Sequence, residues 1–385
     1  MKRFRDVIFW CHLAAGSAAG IVIFIMSVTG VLLTYEKQIE WWADTSDYIV
    51  TQGGQPLPVE ELIAKAREST SAAPTSLTVY SDGDEPALAS LPGGNRVYLD
   101  PYTGQVFGEG SASTHAFFGT ITDWHRWLGT SGGNRPVARA ITGACNLIFL
   151  FIVISGFYLW WPRKWTRRSL RAVTWFRTGQ SGKARDFNWH NVFGFWSALP
   201  LFVVVLSGVI ISYTWAGNLV YRIAGEDPPA QQQRGGGSTT EASEVSLDGL
   251  EPLMAKARQQ VEGWKSITVQ VPQKHDSPVT FSLDRGNGGQ PQHRAQLVLD
   301  ALTGEVTRWE QYSDYTPGRR MRTWFRFAHT GEFYGIIGQT IAGIASLGAA
   351  FLVFTGISLA LRRFFGWRGR RLLDGAGSGS DRVAS

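Results

Sequence analysis

Four of the seven histidines recur at corresponding positions in the two halves of the sequence. After both His12 and His190, a glycine follows four residues later and a hydroxyl-glycine pair ends 18 residues later. His125 and His329 each precede the second apolar segment of their half. Two imidazoles that face each other can bind a haem iron from both sides, and the porphyrin supplies the other ligands. The sequence therefore predicts two bis-histidine haem sites, His12 with His190 and His125 with His329.

The remaining three histidines have no counterpart in the opposite half. His115 is an alternative to His125 as a ligand because both precede the same apolar segment. We expect His275 and His293, which lie in polar loops, to be solvated. For the paired histidines the competing interpretation is structural: each ring would bond a backbone carbonyl or anchor a helix at a membrane interface.

Other metal chemistry fits these residues less well. Zinc and non-haem iron sites usually add cysteine or carboxylate ligands, but the apolar segments contain no Asp or Glu, and Glu332 near His329 leaves a zinc site incomplete. Covalent c-type haem is excluded because no Cys-x-x-Cys-His motif occurs. Cys11 and Cys145 lie in apolar segments, where we expect them to act as small apolar residues. The predicted cofactors are two b-type haems.

Two arginines lie next to the second histidine pair. Arg126 follows His125 directly, and Arg326 lies three residues before His329. Because a guanidinium forms forked, charge-assisted bonds with carboxylates, both are candidate partners for haem propionates. For any single arginine, an interfacial charge is the simpler interpretation.

Long apolar stretches must position these histidines. Each is longer than the roughly 20 residues that a helix needs to cross a bilayer, and many of the 16 Trp lie at their ends, where membrane-interface aromatics belong. We interpret the Gly, Ser and Thr residues inside them as sites of close helix packing. The sequence predicts a four-span membrane α-helical bundle, with spans at residues 7–35, 137–161, 187–215 and 336–361.

The segments between the spans repeat as well. Residues 62–67 resemble residues 253–258 and favour a helix, and an Asp-x-x-Thr-Gly turn between strands occurs at 100–104 and again at 300–304. We predict a tandem duplication of a span–module–span unit. Its two small α+β modules occupy residues 36–136 and 216–335, and the second contains a flexible polar linker at 229–243.

The basic residues predict the orientation in the membrane. Residues 1–6, the loop 162–186 and the tail 362–385 carry 17 Lys and Arg against four Asp and Glu, in a chain of net charge +6. The positive-inside rule places these segments, and so both termini, in the cytoplasm and the two modules outside. The basic excess indicates topology and contact with anionic lipid, and it does not imply nucleic acid.

These features resemble the PepSY-associated transmembrane family. The resemblance is carried by His-x-x-x-Gly in the first span, by His125-Arg126-x-Leu128-Gly129, by Trp160-Trp161-Pro162-Arg163, and by modules ending in Leu-Asp-x-x-Thr-Gly-x-Val. It covers about residues 5–365, and the modules resemble PepSY domains. The length and four-span layout look most like the inner-membrane ferric-siderophore reductases of Gram-negative bacteria, such as the ferrioxamine reductase.

The resemblance implies a multi-pass inner-membrane oxidoreductase that reduces ferric siderophores, with the hydroxamate type favoured, and releases ferrous iron outside the cytoplasm. No Gly-x-Gly-x-x-Gly or P-loop motif occurs, so the electron donor would be a quinol or a cytoplasmic protein. Two alternatives stay open. One is a PepSY membrane protein that binds or inhibits periplasmic proteases, and the other is a haem-bearing quinol-oxidising subunit for a different periplasmic partner.

Overall fold

The computed structural model describes residues 2–380 apart from residues 52, 71, 162–165, 230–246, 248, 273 and 275–276. Most of the predicted linker, residues 230–243, and His275 lie outside these described residues. The longer helices are α1 (Lys2–Leu32), α2 (Glu36–Thr45), α3 (Val59–Thr70), α4 (Ala112–Trp127), α5 (Arg135–Trp160), α6 (Arg167–Thr174), α7 (Gly182–Ser212), α8 (Thr214–Ile223), α9 (Leu250–Gln260), α10 (Pro317–Thr330) and α11 (Gly335–Ser380).

Four helical segments are long and apolar enough to cross a membrane: Arg3–Thr45, Gly132–Trp160, Gly182–Ser212 and Glu332–Arg368. Large apolar side chains on their outer faces are exposed, including Ile21, Leu199 and Ile344 at 72, 75 and 64%. An apolar surface of this extent suits lipid and is rare on proteins that face water. The chain is therefore a membrane protein with several apolar helices.

Two of the predicted loop boundaries differ from the structure. Residues 182–186, predicted in the loop, form the first turns of α7, because Asp186 is buried against α11 and accepts a hydrogen bond from Ser358 (2.7 Å). Residues 362–380, predicted as a tail, continue α11, where no proline interrupts the helix.

The four long helices form a ring in which α1 and α7 lie diagonally opposite each other. Helix α1 packs against α5 and α11, and α7 packs against the same two helices. Small residues permit the close contacts: a Cβ added at Gly343 of α11 would lie 2.8 Å from Thr34 Oγ1, and one added at Gly348 would overlap Ser197 Oγ of α7. The diagonal arrangement brings α1 and α7 face to face across the bundle centre.

A single antiparallel sheet covers one end of this bundle. Its strands are β1 (Ser76–Tyr80), β2 (Ala87–Ser90), β3 (Arg96–Leu99), β4 (Val106–Gly108), β5 (Ser266–Gln270), β6 (Val279–Asp284), β7 (Arg294–Leu299) and β8 (Val306–Gln311), in the order β4-β3-β2-β1-β5-β6-β7-β8. Helices α3 and α9 contribute to one apolar core with both halves of the sheet. In the described residues, α3 precedes strands β1–β4 and α9 precedes strands β5–β8, so the same order of one helix and four strands occurs twice along the chain.

The sequence predicted two separate modules, whereas the structure joins them through the β1–β5 pair. Strands β1 and β5 align antiparallel over five residues, with Thr78 opposite Thr268 and their hydroxyls 2.8 Å apart. An unpaired β1 or β5 would expose a row of backbone N–H and C=O groups, and pairing satisfies both edges at once. The two caps therefore form one continuous structure.

Buried side chains connect the sheet to the helices below it. The carboxylate of Asp44 in α2 accepts hydrogen bonds from the Tyr98 hydroxyl of β3 (2.7 Å) and from the Ser111 N–H (2.7 Å) before α4. Asp44 is 3% exposed. The extension of α1 beyond the bundle thus fixes the first half of the sheet and the start of α4 in one place.

Candidate histidine sites

Helices α1 and α7 place His12 opposite His190. Their ring centroids are 6.5 Å apart and their planes are inclined by 86°. Both residues lie near the end of the bundle that is farther from the sheet, because α1 and α7 run from that end towards the sheet. We call them the first pair.

The shorter helices α4 and α10 place His125 opposite His329. These rings have centroids 6.3 Å apart and are inclined by 58°. Helix α4 packs against α1 and α5, and α10 packs against α7, α8 and α11, so both histidines lie at the sheet end of the bundle. We call them the second pair.

A hydroxyl group contacts Nδ1 of every paired histidine. The contacts are Ser155 Oγ to His12 (2.9 Å), Thr355 Oγ1 to His190 (3.0 Å), Thr29 Oγ1 to His125 (2.9 Å) and Ser207 Oγ to His329 (3.2 Å). Each of these hydroxyls also donates its own proton to a carbonyl in the preceding turn of its helix. The hydroxyl therefore accepts from Nδ1–H, which leaves the Nε2 lone pair of each ring free to bind a metal.

A glycine directly follows each of these hydroxyl residues and makes room for the ring. A Cβ added to the glycine would lie 3.2–3.6 Å from the Cε1 atom of the histidine; the pairs are Gly156 with His12, Gly356 with His190, Gly30 with His125 and Gly208 with His329. In each dipeptide the hydroxyl residue thus orients the imidazole, and the following glycine leaves the space that the ring occupies.

Sequence reasoning interpreted these dipeptides as helix packing only and missed their contact with the histidines. The signal was the fixed spacing of 18 residues from His12 and from His190. That spacing suggests a link within one helix, but the contacts run between helices. Thr29 of α1 bonds His125 of α4, while His12 of the same helix is bonded from α5.

The separation of the rings fits a metal held between them. A metal–imidazole nitrogen bond is about 2.1 Å long, and the atoms of a ring with bonds of about 1.33 Å lie about 1.1 Å from its centre. Two imidazoles on opposite sides of one ion therefore have centroids about 6.4 Å apart, and the observed separations are 6.5 and 6.3 Å. Within the described part of the chain, no group of three or more His, Cys, Asp or Glu is arranged to hold a metal. The donor sets consist of two histidines each, which suits a haem iron because the porphyrin supplies the remaining ligands.

The model of one known family, described as PepSY-associated TM region, matches residues 9–363 and so includes both histidine pairs and all four hydroxyl-glycine dipeptides. The chain belongs to this family. No curated protein matches the sequence.

The histidines outside the two pairs have other environments in this PepSY_TM protein. His115 contacts Glu40 Oε1 through Nδ1 (3.0 Å) and Asp44 Oδ2 through Nε2 (2.9 Å), so both ring nitrogens are engaged away from His329. His293, predicted to be solvated, is instead half-buried in a cavity wall, because the short helical turn Pro291–His293 leads directly into β7 and the His293 carbonyl accepts a hydrogen bond from the Arg285 N–H (3.0 Å).

The polar residues near the second pair also have defined positions. Arg126 and Arg326 are exposed and lie over the rings of Trp127 and Phe327, with Cζ 4.6 and 5.8 Å from the centroids. In the described ranges each guanidinium contacts an aromatic ring and neither forms an ion pair with a carboxylate. Glu332 forms an ion pair with Lys37 (Nζ to Oε1 2.8 Å) rather than with His329.

Proposed function

We propose that this protein is a di-haem inner-membrane reductase that passes electrons across the membrane to ferric siderophores and releases ferrous iron on the periplasmic side. The observation that carries the proposal is the presence of two histidine pairs, one towards each end of the apolar bundle. In both pairs a hydroxyl contacts Nδ1 of each ring, and the ring centroids are separated by nearly the same distance. His12 and His190 would hold one haem, and His125 and His329 the other. A haem with two histidine ligands exchanges single electrons and leaves no open iron position.

The chain provides an apolar barrier between the two pairs. On α1, the 16 residues between His12 and Thr29, the partner of His125, contain no ionisable side chain, and the same holds on α7 between His190 and Ser207. At 1.5 Å per residue these helices separate the two pairs by about 25 Å. An isolated charge would cross such a region at high cost, so two fixed electron-accepting sites would make the passage feasible.

The same residues would hold each imidazole ready for its ligand. The hydroxyl acceptors fix every ring in the Nδ1–H form, and the adjoining glycines leave space for the ring itself. Second-shell bonds of this kind orient a ligand and raise its basicity. Arg126 and Arg326 would neutralise the propionates at the second pair.

The distribution of basic residues supports the orientation. The segments 1–6, 162–186 and 362–385 carry the basic excess, and their described parts, residues 2–6, 166–186 and 362–380, lie at the bundle end opposite the sheet. With that end in the cytoplasm, the sheet would lie in the periplasm, at the same end of the bundle as the second pair. The repeated order of helix and strands supports a tandem duplication of PepSY-like modules. The siderophore is proposed as the electron acceptor because of the resemblance in length and layout. Reduction would also release the iron, because ferrous iron binds hard oxygen ligands more weakly than ferric iron does.

The test is the haem content of the purified protein and of single variants. We expect two b-type haems per chain, with one lost in His12→Ala or His190→Ala and the other in His125→Ala or His329→Ala. His293→Ala serves as the control and retains both. Retention of two haems by all four variants, or a wild-type protein without haem, would contradict the proposal. Reduction of a ferric siderophore by the dithionite-reduced protein, followed with a ferrous chelator, then tests the acceptor.

A further inference from the structure

A cavity of about 480 Å³ lies at the β8 edge of the second half of the sheet. Its wall includes Arg285, His293, Arg294, Trp309, Tyr312 and Arg320. Cavities of this volume hold small molecules, and the mixture of guanidinium and aromatic groups indicates which molecules fit.

The charge of the wall is positive. Of the three arginines, Arg294 is paired with Asp284 (Nε to Oδ2 3.2 Å). Arg285 and Arg320 form no ion pair with any carboxylate that the structure describes; the Nε of Arg320 donates to the carbonyl of Tyr315 (3.1 Å). Glu262 is the one carboxylate in the wall. Two guanidinium groups are thus left to bind oxygen anions in the forked manner that carboxylates and phenolates accept.

The cavity is attached to the segment that carries His329. Arg294 lies over the ring of Phe327, with Cζ 5.5 Å from the centroid, and the side-chain amide of Gln292 in the wall donates to the Phe333 carbonyl (2.8 Å). The Tyr312 ring lies 6.2 Å from the Phe333 ring. Phe327 and Phe333 flank His329 in the sequence, so the cavity wall packs against residues on both sides of this histidine in the chain.

The first half of the sheet lacks these groups. Counted from the equivalent turn residues Asp100 and Asp300, the positions that match Arg294 and Trp309 are Gly94 and Glu109. The scaffold is repeated but the basic aromatic wall is not. A requirement of the sheet itself would be expected in both halves, so the difference points to a site that serves a ligand.

We propose that this cavity binds a small anionic ligand that presents several carboxylate or phenolate oxygens. The ligand class follows from the cavity; that the ligand is the iron-bearing substrate rests on the proposed function. Under that function, the cavity selects anionic ferric chelates over the neutral complexes that three hydroxamates form with ferric iron, which reverses the hydroxamate preference that the family resemblance implies.

The test is calorimetric titration of the full-length protein in lipid nanodiscs with gallium(III) complexes, which bind as their ferric counterparts do but are not reduced. We expect the citrate and tris-catecholate complexes to bind at least tenfold more tightly than the neutral tris-acetohydroxamate complex. Arg285→Gln and Arg320→Gln should each weaken the anionic complexes by about tenfold. Raising the salt concentration should weaken them too.

Arg67→Gln is the matched control, because Arg67 is an exposed arginine on α3, the helix that precedes the first four strands of the sheet. It should leave every affinity unchanged, and all three variants should keep the wild-type melting temperature. Equal affinity for the neutral complex, unchanged affinity in both cavity variants, or no binding of either anion would overturn the proposal. The titration involves no electron transfer, so its failure is separate from a failure of the haem assignment, which the haem content decides.

Discussion

The hydroxyl group of Thr355 offers the sharpest test of how the chain supports its histidines. Thr355 is fully buried, and its Oγ1 lies 3.0 Å from Nδ1 of His190 while donating to the Phe351 carbonyl (2.7 Å). Thr355→Val keeps the shape and removes the acceptor. The Leu352 carbonyl remains as a second acceptor, so we expect a loss of about 1–2 kcal/mol. That corresponds to roughly tenfold weaker binding of the haem proposed for the first pair.

The assay is the rate of haem transfer from the purified protein to excess apomyoglobin. One of the two haems should leave about tenfold faster in Thr355→Val, and Thr355→Ser, which restores a hydroxyl, should recover most of the wild-type rate. Thr120→Val is the control: its hydroxyl also bonds a carbonyl of the preceding turn, but it contacts no histidine. Equal transfer rates in Thr355→Val and wild type would refute the idea that the hydroxyl orients the ring.

Three further predictions test other parts of the structure. Gly156→Leu should reduce the haem content from two to one, because even a Cβ there meets a histidine ring at 3.3 Å; Gly16→Leu, with open space around its Cβ, should keep both. His115→Ala should lower the free energy of unfolding by about 2–3 kcal/mol, since it removes a partner of the buried Asp44 carboxylate. Loss of haem from this variant would instead identify His115 as a haem ligand. The hydrogen bond from Arg319 holds the pKa of Glu310 below its ordinary value, so this pair stabilises the fold above the unfolded pKa and ceases to do so as the pH falls through the folded pKa. Melting curves of Glu310→Gln should therefore approach those of wild type as the pH falls below the unfolded pKa of glutamate, about 4.3, and a constant difference down to pH 2 would contradict this.

The membrane spans could be predicted because their signal is local. A helix in lipid must satisfy its backbone within itself and present apolar side chains over its whole length, so residues 7–35 and 187–215 could be identified one segment at a time. The first and last residues of the spanning helices were harder to predict. The first turns of α7 are polar and were predicted as loop, yet they are helical because Asp186 is buried against another helix.

The joined sheet could not be predicted from the strands alone. Thr78 and Thr268 are separated by 190 residues, and each lies in a strand that would suit the edge of its own module. Whether two such edges pair depends on the distance at which the bundle holds them, and no local pattern encodes that distance. The contacts of His115 could not be predicted for the same reason. Its ring nitrogens contact carboxylates on α2, and the sequence did not predict α2, which extends the first span, as a separate helix.

The sequence by itself determined which residues are the candidates for the proposed chemistry. The repeated spacing after His12 and His190 marked the paired histidines, and the apolar stretches placed them within or beside spans. Only the tertiary structure decided which groups meet. The hydroxyl of Thr29 supports a histidine on α4 rather than His12 on its own helix, because residues 17 positions apart on a helix are separated by about 25 Å and cannot touch each other. Contacts between neighbouring helices at one depth therefore define each site, and those depend on how the four spans pack.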